Sequence, residues 1–209
     1  MRTGRDLSPL LEPAPGGRRP DYSSTHLLSR VAAILMVLAA AVLVLQAYLN
    51  ALTIPGVVVM AAAVVASLTW LQRAYRNLAA LGAGETRDSP ASAVAWFLIP
   101  VANWLMTYGV LRDLQRLSDR SDRHGLSSRH SLLVGLWWLC WGAPPVASVF
   151  SLMFLDRPSL GTTSARQQAL ISFDLVSLAV AAALGAVIII RVTSLQEAGH
   201  LMTDADAGI

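Results

Sequence analysis

Ala93-Val94-Ala95-Trp96-Phe97-Leu98-Ile99-Pro100-Val101-Ala102-Asn103 is the stretch on which the fold turns. It is uncharged and apolar, so it belongs in a bilayer or a core. Pro100 interrupts it. Proline lacks a backbone N–H and clashes with the carbonyl four residues back, here Trp96. Asn103 follows one turn later with an amide able to satisfy freed backbone groups. Two readings are open. The segment 93–111 is a Pro-kinked helix that crosses the membrane, or a broken one that enters and returns or lies in the interface. A broken helix is tolerated at membrane depth when protein buries it.

The flanking sequence supplies the rest of the bundle. Between Arg30 and Arg73 there are 42 residues without Asp, Glu, Lys or Arg. Two spans of roughly 20 residues fit there, expected at 31–49 and 53–72 with a short turn near Asn50. Further uncharged runs predict spans at 132–155 and 169–190, the last interrupted by Asp174. Residues 1–26 are rich in Pro and Gly and read as a disordered tail. A flexible C-terminal tail is expected at 198–209. The first apolar run is too long for a signal peptide, and no small-x-small site follows it. Of all 209 residues, 55% are hydrophobic and 14% charged, and mean hydropathy is +0.53. That composition argues against a soluble globule and a disordered chain, and one cysteine excludes a disulfide scaffold.

Arginine distribution weighs the two readings of the Pro100 segment. All 16 basic residues are Arg. Basic residues of short loops are retained on the cytoplasmic side. If 93–111 crosses, Arg residues fall on both faces. If it does not, fourteen lie on the cytoplasmic face, both termini are cytoplasmic, and only Arg157 and Arg166 lie outside. The fold expected is therefore an all-α membrane protein, a four-span helical bundle plus one Pro-broken re-entrant or interfacial segment.

Residues 110–123 read as an amphipathic interfacial helix. Val110, Leu111, Leu114 and Leu117 cluster opposite Arg112, Arg116, Arg120 and Arg123 at helical spacing. The expectation is leucines toward the leaflet and arginines among phosphates, each Arg contributing about 1 kcal/mol near an anionic surface. Arg73, Arg76, Asn77, Asn103, Tyr108 and Arg112 form a candidate lipid- or phosphate-binding set, because guanidinium forks suit phosphate. The alternative is that the arginines set topology and the amides cap helices. Asp174 is an intramembrane acid, which by default marks a functional candidate. The alternative is a partly hydrated side chain paired with Arg166 or with Tyr and Trp donors. Pro144 and Pro145 are expected to break or kink the span at Cys140 and Trp141. Ala39, Ala40, Ala41, Ala179, Ala181, Ala182 and Ala183, with Gly185, permit close helix approach and self-association.

Four stretches in this order resemble one bacterial family. They are Trp70-Leu71-Gln72-Arg73-Ala74-Tyr75-Arg76-Asn77 with Leu81-Gly82, and Trp96 to Asn103 continued by Tyr108, Val110, Leu111, Arg112 and Leu114. Gly135-Leu136-Trp137-Trp138 is the third, and Asp174-Leu175-Val176 with Arg191-Val192-Thr193 and Gln196-Glu197 the fourth. The family is the one called domain of unknown function 4328, and the resemblance covers about residues 30–197. Thr107 and Asp113-Leu114-Gln115 depart from its usual pattern. The resemblance implies a small multi-pass protein of the bacterial plasma membrane and implies no activity.

Nothing in the spacing of His26, His124, His130, His200 and Cys140 suits a metal. No phosphate-cradling Gly loop, metalloprotease His-Glu pair or Gly-x-Ser-x-Gly elbow occurs. No cofactor is expected, and the arginines are assigned to the membrane surface rather than to nucleic acid. The leading expectation is a non-enzymatic lipid- or partner-binding component of the cell envelope. Its partners would be anionic headgroups, another membrane protein or a second copy. A small transporter or channel subunit and a membrane-embedded enzyme are the alternatives.

Overall fold

The computed structural model describes residues 22–49, 53–83, 86–119, 129–154 and 165–206. Among them there are six helices and no strand: α1 (His26–Leu49), α2 (Thr53–Ala80), α3 (Pro90–Leu98), α4 (Pro100–Ser118), α5 (Arg129–Phe154) and α6 (Ala165–Asp206). Four are long and apolar enough to cross a membrane, over His26–Tyr48, Ile54–Ala80, Leu132–Ser151 and Gln167–Met202. The four expected spans thus fall in the four long helices. Residues 1–21, 50–52 and 120–128, where the expected tail, the turn near Asn50 and the end of the amphipathic helix fall, lie outside the described residues.

The Pro100 segment is two helices. α3 opens on a Ser89 cap, whose Oγ accepts from Ser92 N–H, with Pro90 in the first turn. Pro at that position loses no helical hydrogen bond. α3 ends after nine residues because Ile99, at φ −94° and ψ 113°, adopts the extended backbone favoured before proline. α4 then starts at Pro100. Asn103 Nδ2 donates to the Phe97 carbonyl at 3.1 Å, so the amide caps the broken end as expected. At 1.5 Å per residue α3 is about 13.5 Å long, under half of a hydrocarbon core of about 30 Å.

α5 fixes the position of the break. Phe97 packs on Trp137, with ring centroids 6.4 Å apart. Trp138 Nε1 donates to the Trp104 carbonyl at 2.8 Å. Both sides of the break thus lie against the same turn of α5, and α4 folds back past Arg87, whose Nη2 lies 3.6 Å from Met106 Sδ. The two short helices form a re-entrant hairpin.

α6 packs on α1, α5, α4 and α2, and α1 also packs on α2. Among the described residues α2 and α5 make no packed pair; α3 and α4 sit between them. The spans thus form an arc, α2–α1–α6–α5, whose open side receives the re-entrant pair. Small residues close the tightest seam: Ala32, Ala33 and Ala39 of α1 and Ala179, Ala181, Ala182 and Ala186 of α6 are buried.

Four expectations are corrected. First, the apolar face of α4 does not rest on lipid: Val110, Leu111 and Leu114 are buried in the protein core with Trp70, Tyr75 and Val192. Protein offers these side chains a fixed packing surface, and the helix ends at Ser118 rather than 123. Second, the N-terminal tail does not extend to 26. Thr25 is buried, and Ser23 exchanges hydrogen bonds with the Asn77 amide. Third, the C-terminal tail does not begin at 198. α6 continues to Asp206, supported by His200 stacked on Tyr22 at 4.2 Å. Fourth, Pro144 and Pro145 do not break α5, which is continuous through both. Pro144 cannot bond the Cys140 carbonyl, and Ser177 Oγ of α6 donates to it instead, at 2.9 Å.

Candidate functional site

Arginines gather at one end of the arc. Arg30, Arg73, Arg76, Arg87, Arg112, Arg116 and Arg191 are all exposed. They surround the start of α1, the ends of α2 and α6, and the returning half of α4. Charged groups stay in water or among headgroups because their desolvation is costly, and the helices place them where that is possible.

Beneath them a polar layer locks three helices together. Tyr75 Oη donates to the Val110 carbonyl at 2.8 Å, tying α2 to α4. Gln196 Nε2 of α6 donates to the Ala74 carbonyl at 3.0 Å and to Ser118 Oγ at 3.1 Å. Trp70 Nε1 donates to Thr193 Oγ1 at 3.0 Å. Gln115 is fully buried in the same layer. The sequence reading missed this layer; its signal is the run of amides and hydroxyls on otherwise apolar faces, Asn77, Gln115, Ser118 and Gln196.

The six candidate residues separate. Arg73, Arg76 and Arg112 are on the exposed end. Asn77 is buried, with its amide bonded to Ser23. Tyr108 is half-buried edge-on against Trp138, with centroids 6.2 Å apart. Asn103 lies at the break, deep in the bundle. Of the six, the three guanidinium groups lie at the exposed end, while Asn77 bonds Ser23, Tyr108 packs on Trp138 and Asn103 bonds the Phe97 carbonyl.

Two acidic groups shape this end. Asp88 Oδ1 accepts from Trp96 Nε1 at 2.9 Å, bracing α3. Asp113 is half-buried beside the arginines. Burial raises its pKa above the usual carboxylate range, while Arg87, Arg112 and Arg116 pull it back. Next to the arc, burial pushes the Tyr22 phenol up to about 12, with the Glu197 carboxylate acting the same way.

Asp174 lies near the opposite end of α6. Its Oδ2 accepts from Ser148 Oγ of α5 at 3.0 Å, and its Oδ1 is buried with no partner among the described residues. The expected Arg166 partner has a side chain outside the described residues.

Above the break lies a cavity of about 160 Å³ inside the arc. Its wall is apolar apart from a few groups, and includes Met36, Leu68, Phe97, Leu178, Gly185 and Ile188. Trp137 and Trp141 form one side as parallel rings 6.3 Å apart. Gly185 faces this side, where a Cβ would come to 3.4 Å from Trp137 Nε1. Asn103 also lines the cavity. No local pattern in the sequence encodes this space, because all six helices contribute to its wall.

Four membrane-length helices in an arc with a re-entrant pair in its mouth define a multi-pass helical membrane protein. The family described as Domain of unknown function (DUF4328) matches residues 46–196, and the chain belongs to that family. The match spans α2 to α6, including the Trp96–Asn103 break and the arginine end. No curated protein and no solved structure matches the chain.

Proposed function

We propose that the protein is a non-enzymatic component of the bacterial plasma membrane that holds anionic lipid headgroups at its arginine end, with both termini cytoplasmic. The observation carrying this reading is that the seven arginines exposed among the described residues share one end of the arc. Positive residues at one membrane face fit cytoplasmic retention and attraction to anionic headgroups. Arg73, Arg76 and Arg112 supply forked donors suited to phosphate oxygens.

The test is native mass spectrometry of the full chain from membranes, with lipids identified. Phosphatidylglycerol or cardiolipin should be retained, and Arg76→Gln with Arg112→Gln should reduce retention severalfold. Unchanged retention in the double variant would sink the headgroup reading. For topology, a cysteine at Ser121 in a Cys140→Ser background should resist membrane-impermeant maleimide in intact cells. A transport role rests on Asp174, the acid in the uncharged run of α6. Proton-coupled uptake into vesicles, lost in Asp174→Asn, would favour it.

A further inference from the structure

We propose that the cavity above the Pro100 break is a binding site for a hydrocarbon chain bearing one neutral hydroxyl group, entered sideways from the bilayer. This site is separate from the arginine end. Its failure would leave the headgroup reading standing.

Access follows from the arrangement of helices. Among the described residues α2 and α5 flank the mouth of the arc without packing together, and only the re-entrant pair lies between them. Val64 and Leu98 line the cavity and are 42% and 66% exposed, so the wall has a membrane-facing edge. Whatever enters by that edge comes from the lipid phase. An apolar wall left without a guest forfeits its dispersion contacts, and a flexible chain can fill the irregular space.

The polar specificity comes from two atoms. Asn103 Nδ2 is engaged on the Phe97 carbonyl, which turns the amide so that Oδ1 is the remaining group; Oδ1 is buried without a partner among the described residues. Trp141 Nε1 is likewise buried and has no partner among the described residues. Both side chains line this cavity. One offers an acceptor and the other a donor. In a bilayer such groups must be satisfied by protein or by a guest. A hydroxyl has the matching pair of functions, a proton for Oδ1 and lone pairs for Nε1–H. An ester carbonyl offers only an acceptor, and a plain alkyl chain neither. A charged headgroup would find no counter-ion on this wall.

The experiment uses the full chain in nanodiscs with a photoactivatable long-chain alcohol and its methyl ether as probes. The alcohol should crosslink to peptides containing residues 97–103 and 137–141. Unlabelled hexadecanol should compete, and the ether should label about three- to tenfold less, the loss of one hydrogen bond. Trp141→Phe keeps the ring and removes the donor. It should lower labelling by alcohol and ether alike, because both keep the oxygen that accepts from Nε1–H and the ether lacks only the proton for Asn103 Oδ1. Gly185→Leu should abolish labelling by filling the space; Ala182→Leu is the second filling variant should the first fail to fold, as judged by circular dichroism and monodispersity. Equal labelling by alcohol and ether would overturn the proposal in favour of nonselective lipid filling. Absence of crosslinks at these peptides would overturn it in favour of water alone. Undiminished labelling in a folded filling variant would overturn it as well.

Discussion

Prolines in two regions of this chain meet opposite fates. At Pro100 the helix breaks, and at Pro144–Pro145 it does not. The local chemistry is the same: a missing N–H and an orphaned carbonyl four residues earlier. The surroundings differ. α5 lies against α6, which presents Ser177 to the Cys140 carbonyl. Ile99 lies at the mouth of the arc, where it takes the extended backbone, and Asn103 caps the end from within its own segment. In α5 a neighbouring helix supplies a donor to the carbonyl that Pro144 frees, and at Pro100 the only side-chain donor near the break among the described residues, Asn103, bonds Phe97 on the far side of an extended Ile99.

The largest expected effect breaks the comparison from the Pro100 side. Pro100→Ala removes the bias that keeps Ile99 extended and lowers the cost of a helix there by about 3 kcal/mol. A continuous helix over 90–118 would be about 43 Å long, enough to cross. A cysteine at Ser121 should then become reactive toward impermeant maleimide in a fraction of molecules, where the parent stays protected. Asn103→Leu comes next. It leaves the Phe97 carbonyl without its cap, at a cost of about 1–3 kcal/mol for a buried unsatisfied group, readable as a lower midpoint in thermal unfolding in detergent.

The α5 side is sharpened by Ser177→Ala, which orphans the Cys140 carbonyl. Interhelical hydrogen bonds in membranes average about 0.6 kcal/mol by double-mutant cycle, so the shift should be small. Adding Pro144→Ala restores an N–H to the same carbonyl and should recover it. Additive effects in that cycle would show that Ser177 does not replace the lost donor.

The smallest effect concerns Asp113. Its pKa is raised in the folded protein, so the folded state holds the proton more tightly than the unfolded chain. That contribution favours folding at acid pH and is lost as pH rises past the ordinary carboxylate range. Asp113→Asn should therefore gain on the parent as pH rises from about 4 to about 7. The gain should be a few tenths of a kcal/mol at most, given solvent exposure and the neighbouring arginines. Thermal midpoints across that range would show it, and a gap narrowing with pH would contradict it.

Local grammar was legible in the sequence. Uncharged length marked the four spans, Pro100 marked the break, and Asn103 one turn on marked its cap. Relations between helices were not. That α4 covers protein rather than lipid follows from the position of α2 and α6, which periodicity does not specify. Asp174 looked isolated until Ser148 of α5 came beside it. Helix ends shifted where tertiary contacts extend them, as Tyr22 does for α6 at His200. The candidate site was half legible: arginines declare their face through their charge, whereas Asn77 and Asn103 look alike in sequence and serve different places.

The length of α6 has a further consequence. At 42 residues it runs about 63 Å, twice the hydrocarbon thickness. Along it, Asp174, Ser177, Gly185, Thr193, Gln196 and His200 each meet a different partner from the membrane's far side to the arginine end. The helix is thus a spindle whose angular phase is shared by every layer. One residue inserted near Ala186 would turn all that lies beyond it by about 100°, parting Thr193 from Trp70 and Gln196 from Ser118 at once. Substitutions along α6 act locally; insertions act on the whole arc.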